Sequence, residues 1–430
     1  MQTHFDVVIV GAGPVGMATA CTLKAIHASL QICVLDKRSA SKRSHGLSIQ
    51  ADAIEKISQV LDQSKECDRL KEIYASWKSR FIRTNEIEIS LQEEAKRMGI
   101  SVLRGSDYEI NDGDLKKVLE NPSDQLEKQK LQSIFKNARV VIAADGSHSI
   151  MRKELGITLA EDETLKYLVE LKYQTKGMTE PRGYKEASYV SSKTGLVGAE
   201  IMNRQIDEDK KPATYLLFID KPTYESLREK DAQGNLKGVY GNSWTLQELS
   251  EKNKKVYDSF QTYIRSVTAR GGICEDAKVS TLEMRIYRSH ESVKNVAGKQ
   301  FLLVGDANSG LVLQRGFNKG LKEAAFCAKA VSTFFNDFSN SERLNEYQNE
   351  AQSLFAEEQQ NIYLKIFGIS AAQSLVSSAA SSFDLIDKSP STIPEKFSLS
   401  NWKWSFPSFW PFGSSESSRE NASESSTINQ

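Results

Sequence analysis

The sequence predicts an α/β fold: a parallel sheet wound with helices, interrupted by a mainly antiparallel sheet and closed by a helical C-terminal extension. Three observations predict it. An apolar, β-branched run from Phe5 to Val10 enters a glycine turn and then a helical stretch. From about Leu159 to Tyr263 the pattern switches to alternation, and from Ser341 apolar residues recur at helical spacing. Strands that alternate with helices pair in parallel, whereas alternating strands have one face in water.

The first unit is the most specific. The strand Phe5 to Val10 leads into Gly11-Ala12-Gly13-Pro14-Val15-Gly16, and a second apolar strand ends at Asp36. In a Rossmann-like unit the first glycine permits the tight turn. The second lets backbone approach a diphosphate, and the third lets the helix pack close. The unpaired N–H groups and positive dipole end of that helix favour an anion, so Val15 and Gly16 are expected to donate backbone bonds there. Asp36, about 20 residues beyond the last glycine, is placed to accept from ribose hydroxyls and disfavours a 2′-phosphate. The nucleotide is thus FAD or NAD rather than NADP, with Pro14 and Lys37 lining the same turns.

Two further stretches bear on the choice. Arg139 to Arg152 contains Ala144-Asp145-Gly146-Ser147, and Lys299 to Ala307 ends in Val304-Gly305-Asp306-Ala307. They resemble the Asp-Gly and Gly-Asp motifs of the class A flavoprotein monooxygenases, the para-hydroxybenzoate hydroxylase type. The resemblance covers about residues 5 to 160 and 280 to 345. It implies FAD as cofactor, NADPH or NADH as reductant, and dioxygen passed to a small organic or lipophilic substrate through a flavin hydroperoxide. It also implies that Asp306 binds the FAD ribitol or ribose. Gly316, Phe317 and Asn318 then open a helix whose N-terminus faces the flavin, and Asp145 and Gly146 also serve the nicotinamide nucleotide. Arg43, in the basic loop after the second strand, is the counterpart of a residue near the pyrophosphate, or else part of a solvated loop.

The chain departs from that family after Asp306. The family's Ala-Ala-His and paired prolines are replaced by Ala307-Asn308-Ser309-Gly310-Leu311-Val312-Leu313-Gln314-Arg315. Two alternatives therefore stand beside the monooxygenase: a MICAL-like protein-oxidising enzyme, and a FAD-bound effector or interaction protein without hydroxylase turnover. No catalytic residue is assigned. Arg285, Tyr287 and His290 either reach substrate or nicotinamide, or are an ordinary strand face and a surface histidine.

Between the motifs, Glu86 to Gly99 reads as a helix and Ile100 to Leu103 as a strand, while Leu246 to Ala269 reads as helical. The expected domains are a FAD-binding domain at 1–160 and 275–345, a substrate domain at 161–274, C-terminal helices at 346–390 and a tail at 391–430. The 430 residues suffice for two cores. Lysine plus arginine and aspartate plus glutamate number 56 each, and without a basic run nucleic acid is not an expected partner. The five scattered cysteines have no metal spacing and point to a reducing compartment. Met1 runs at once into the first strand, so no secretory signal is read and the expected location is cytoplasmic. Ile366 to Phe383 is uncharged but too polar for a comfortable membrane span, and reads as a packed helix. Trp402 to Phe412 crowds aromatic residues that suit peripheral contact with a membrane or a protein groove, or that fold back on the protein itself. The last residues, rich in serine and glutamate, read as a disordered end or as a C-terminal secretion address.

Overall fold

The computed structural model describes residues 4–384 apart from 41–45, 63–66, 112, 116–128, 177–184, 191–195, 203–209, 231–233, 240–241, 270–271, 313–314 and 339–341. Arg43 and the aromatic segment Trp402 to Phe412 lie outside the described residues.

The chain opens with β1 (Val7–Val10), α1 (Pro14–Ile26) and β2 (Ile32–Asp36). A small antiparallel pair, β3 (Gly46–Ser48) and β4 (Phe81–Arg83), flanks α2 (Ala51–Leu61) and α3 (Asp68–Trp77). Then follow α4 (Thr84–Arg97), β5 (Ser101–Arg104), α5 (Gln129–Asn137), β6 (Val140–Ala143) and α6 (Ile150–Glu154). The inserted region carries β7 (Leu159–Lys176), β8 (Lys185–Val190), β9 (Val197–Met202), β10 (Lys210–Ile219), α7 (Lys221–Ser226), β11 (Trp244–Thr245), α8 (Leu246–Lys252), α9 (Lys254–Ala269) and β12 (Ile273–Ser289). Strands β13 (Val293–Val296), β14 (Lys299–Leu303) and β15 (Ser309–Gly310) precede α10 (Arg315–Asn336) and α11 (Glu342–Asp384).

Six strands form one sheet in the order β13-β14-β6-β1-β2-β5, parallel except for β13. Alternate residues of β1 go to opposite sides. Val7 and Ile9 pack with α1, α2, α4 and α10, while Val8 and Val10 pack with α5, α6 and Phe301. That two-sided burial is why the strand is apolar throughout, as a sheet covered on both faces requires. Strand order places the ends of β1, β2, β6 and β14 side by side, so Gly11, Asp36, Asp145 and Gly305 converge on one sheet edge.

The second sheet, β11-β12-β7-β10-β9-β8, is antiparallel. One face, including Val169, Leu171, Tyr173 and Val279, packs on α8 and α9 through Leu249, Val256, Phe260 and Tyr263. On the other, Leu168, Phe218 and Met284 meet Val312, just before α10, and Ile366 of α11. The long strands β7 and β12 straddle the boundaries expected at 160 and 274, and β12 carries the chain back to the first sheet.

The expected C-terminal helices form one helix, α11, among the described residues. It crosses both parts of the molecule. Glu358 pairs with Arg315 and Lys322 of α10, while Gln359 and Tyr363 bond Glu161 and Glu163 of β7 at 2.7 and 2.5 Å. None of the described helices is long and apolar enough to cross a membrane.

Candidate cofactor site

Gly11 has φ +110° and donates its N–H to Leu35 O at 2.7 Å. A Cβ there would lie 2.3 Å from Ala144 O, and one on Gly16 would lie 2.0 Å from Gly11 O. Both positions are therefore closed to side chains. Gly13 differs: nothing lies within 4 Å of its Cβ direction, and it caps α1 without any side-chain acceptor, with Pro14 beginning the helix. Open space at a helix N-terminus is what a diphosphate requires.

Asp36 ends β2 beside this turn and is buried. Its carboxylate accepts from Ala12 N–H at 3.0 Å and from Arg38. Burial alone would raise its pKa, but the bonds from Arg38 and Ala12 together outweigh it and hold the carboxyl below its ordinary value. Lys37 points elsewhere, to Glu109 at 3.3 Å on the surface.

Asp145 accepts from Met151 N–H at 3.1 Å, and Gly146 turns the chain at φ +87°. Burial pushes the Asp145 carboxyl up despite hydrogen bonds from Ser149 and from backbone. Ser149 then caps α6 by accepting from Arg152 N–H at 2.9 Å. The Arg152 guanidinium reaches across to Ala307 O at 2.8 Å and Ser147 O at 3.3 Å, which ties the Asp-Gly stretch to the Gly-Asp stretch.

The segment after β14 is held from several sides. Gly305, at φ +63°, donates to Glu323 at 2.7 Å, and the Tyr287 hydroxyl donates to Asp306 O at 2.7 Å. Asn308 O accepts from Ser289, and Asn308 Nδ2 donates to Glu323 at 3.0 Å. Lys319, fully buried, bonds Glu323 at 2.7 Å and Ser309 Oγ at 2.6 Å. Burial pushes the Glu323 carboxyl up against the opposing pull of Lys319. Asp306 itself lies against the start of α10, since a Cβ on Gly316 would sit 3.1 Å from its Oδ1.

One side chain joins the first and third stretches. Val15, in the first turn of α1, would be 3.0 Å from a Cβ on Gly305 and 2.5 Å from one on Gly320. The N-termini of α1 and α10 thus approach a common point, one at the glycine turn and the other beside Asp306. Phe317 packs into the core, and Asn318 fastens α10 to the β3–α2 junction, accepting from Gln50 N–H and donating to Ser48 O at 2.8 Å each.

Of the residues with two readings, Tyr287 is buried at the site with its ring over Gly310, whose added Cβ would meet it at 2.1 Å. Arg285 lies on the same face but is exposed and pairs with Asp162, and His290 is exposed. Sequence reasoning gave no role to Arg38, Arg152, Asn308, Lys319 or Glu323. The serine, arginine and aspartate spacing from Asp145 to Arg152 held a signal for Arg152. A lysine and a glutamate four apart look like a surface pair and held none.

A FAD molecule fits these residues: open backbone at Gly13, an acid at the end of β2, and a second acid at the start of α10. The fold and site define a FAD-binding protein of the class A flavoprotein type. A profile of the FAD binding domain family matches residues 71–360, and the chain belongs to that family. The fold is shared with p-nitrophenol 4-monooxygenase PnpA from Pseudomonas putida DLL-E4 (14% identity, TM-score 0.54, covering 88% of this chain and 95% of that one). It is also shared with the OxyS anhydrotetracycline hydroxylase from Streptomyces rimosus (15%, 0.50, 87% and 69%). Aklavinone-11 hydroxylase, solved as a ternary complex with FAD and aklavinone, is similar at 16% identity and TM-score 0.52, over 82% of this chain and 67% of that one. No curated protein sequence matches the chain.

Proposed function

We propose that the chain is a FAD-dependent monooxygenase that takes reducing equivalents from NADPH or NADH and hydroxylates a small organic or lipophilic substrate with dioxygen. The observation that carries this reading is the meeting of Asp306 with the N-terminus of α10; Val312, just before that helix, packs on Leu168, Phe218 and Met284 of the antiparallel sheet. Bound FAD supplies the redox chemistry and oxygen activation, and the protein supplies binding, orientation and exclusion of water.

The roles of the chain's own groups follow from their places. Backbone N–H groups at Val15 and Gly16 bind the diphosphate, and Asp36 binds the adenosine ribose. Asp306 orients the ribitol. The start of α10, at Gly316 to Asn318, presents a positive dipole end that favours negative charge on the ring. Arg152, Tyr287 and Glu323 hold the backbone at Ala307, Asp306 and Gly305 respectively, which fixes this alignment within the protein itself. By the resemblance to the class A family, the second sheet roofs the flavin on the side where an organic substrate binds.

The test is anaerobic stopped-flow mixing of the FAD-loaded protein with NADPH or NADH, followed by oxygen. Bleaching of the flavin band and its recovery with oxygen is the expected result. Persistence of the oxidised band with either nucleotide, alone and across an aromatic substrate panel, would sink the monooxygenase reading and favour a FAD-bound effector.

A further inference from the structure

The acid at the end of β2 is already saturated. Asp36 Oδ2 accepts from Ala12 N–H at 3.0 Å and Arg38 Nη2 at 2.9 Å; Oδ1 accepts from Arg38 N–H at 2.9 Å and Arg38 Nε at 3.1 Å. A carboxylate offers about four acceptor sites, and all are taken. A ribose diol needs two of them. The Ala12 and Arg38 amides are fixed by the turns that carry them, whereas the Arg38 guanidinium sits on a side chain 31% exposed. It is the donor that can leave.

A second acid lies on α4, which leads into β5, the strand paired with β2 at Asp36 and Arg104. Glu88, in the second turn of α4, is 1% exposed, and neither carboxylate oxygen has a hydrogen-bond partner. A buried carboxylate with both oxygens unsatisfied is costly and calls for an explanation. Its charge acts through space on the Arg38 guanidinium, second to that of Asp36.

We propose that the adenosine ribose of FAD displaces the Arg38 guanidinium from Asp36 and that Arg38 transfers to Glu88, which makes Glu88 part of the cofactor site. The inference rests on Asp36 as the ribose acceptor. With Arg38 on Asp36 one acid is saturated and the other unpaired; with ribose on Asp36 and Arg38 on Glu88 both are paired. A bidentate guanidinium–carboxylate bond is among the stronger polar contacts, and forming it on Glu88 offsets the one broken at Asp36.

The test is a double-mutant cycle on FAD affinity, measured with the apo full-length chain by quenching of flavin fluorescence. Glu88→Gln keeps the shape and removes the charge, so it should weaken FAD about tenfold when Arg38 is present. Arg38→Ala should bind within about threefold of the wild type, because competitor and compensating pair vanish together. In the Arg38→Ala background, Glu88→Gln should then change nothing. An equal loss from Glu88→Gln in both backgrounds, or none in either, would overturn the exchange. Should Glu88→Gln fail to fold, Arg38→Ala decides alone: a loss beyond tenfold would mean that Arg38 stays on Asp36 in the complex. Wild-type protein that binds no FAD at all would refute the site itself, an outcome separate from a flat cycle.

Discussion

The glycine turn with Asp36 and the segment from Gly305 to Ser309 sit at the two ends of one proposed cofactor, and they are built in opposite ways. The first is largely local: apart from the approach of Gly11 to Ala144, the contacts that make it, Gly11 to Leu35, Gly16 against Gly11 and Ala12 to Asp36, join residues at most 24 apart. The second is assembled from afar. Its carbonyls and amides are held by Arg152 from α6, Tyr287 from β12 and Glu323 from α10, with Tyr347 of α11 donating to Leu303 O just before it. A local motif depends on backbone shape, and a distributed one on buried polar partners. Damage to the two should therefore look different.

The largest effect is expected at Gly16. A Cβ there meets backbone that cannot yield, so Gly16→Ala should cost about 4 kcal/mol or more, and little soluble, FAD-binding protein should be recovered. Native thermal stability and full flavin content in that variant would break the comparison.

Next is Glu323→Leu, which strands the buried Lys319 cation; a loss of about 3–5 kcal/mol in urea unfolding is expected. Adding Lys319→Met should return most of that stability but not the FAD affinity, because Gly305 N–H and Asn308 remain without their acceptor. Recovery of both would show that the network serves the fold alone.

Tyr287→Phe removes one hydroxyl bond to Asp306 O. About 1 kcal/mol of stability should be lost, with FAD binding weakened by up to about tenfold. Isothermal titration that finds no change in FAD affinity would remove Tyr287 from the distributed support.

The smallest effect concerns pH. The folded Asp36 carboxyl is held below its ordinary value, so its stabilising contribution is complete above the unfolded pKa of about 3.9 and is lost as pH falls through the lower folded value. In Asp36→Asn, the acid limb of the apo-protein stability curve should flatten below about pH 4. An unchanged limb would assign the acid sensitivity to other carboxylates.

The same contrast explains what the sequence disclosed. Gly11, Gly13, Gly16 and Asp36 were legible because strand period, glycine spacing and a distant acid are all written along the chain. The helix of α4, the strand β5 and the alternating strands of the inserted sheet were legible for the same reason of periodicity. Lys319 and Glu323 were not, because helical spacing does not reveal that their face is turned into the core. Tyr287 was legible as a strand residue, but its partner is a carbonyl 19 residues on, reachable only because Gly310 leaves room for the ring. The pairing of Asp36 with Arg38 was likewise hidden, since the spacing rule concerns the acid and its ribose and says nothing of the arginine two residues on.

Helix α11 carries a mechanical consequence. Within six residues it grips α10 through Glu358 and the start of β7 through Gln359 and Tyr363, so it acts as a splint across the junction where the chain leaves one sheet for the other. A swing of the second sheet away from the first would have to shear those contacts. For the proposed monooxygenase, substrate entry by wholesale opening of the two halves is thereby disfavoured, which leaves smaller parts such as side chains and short loops.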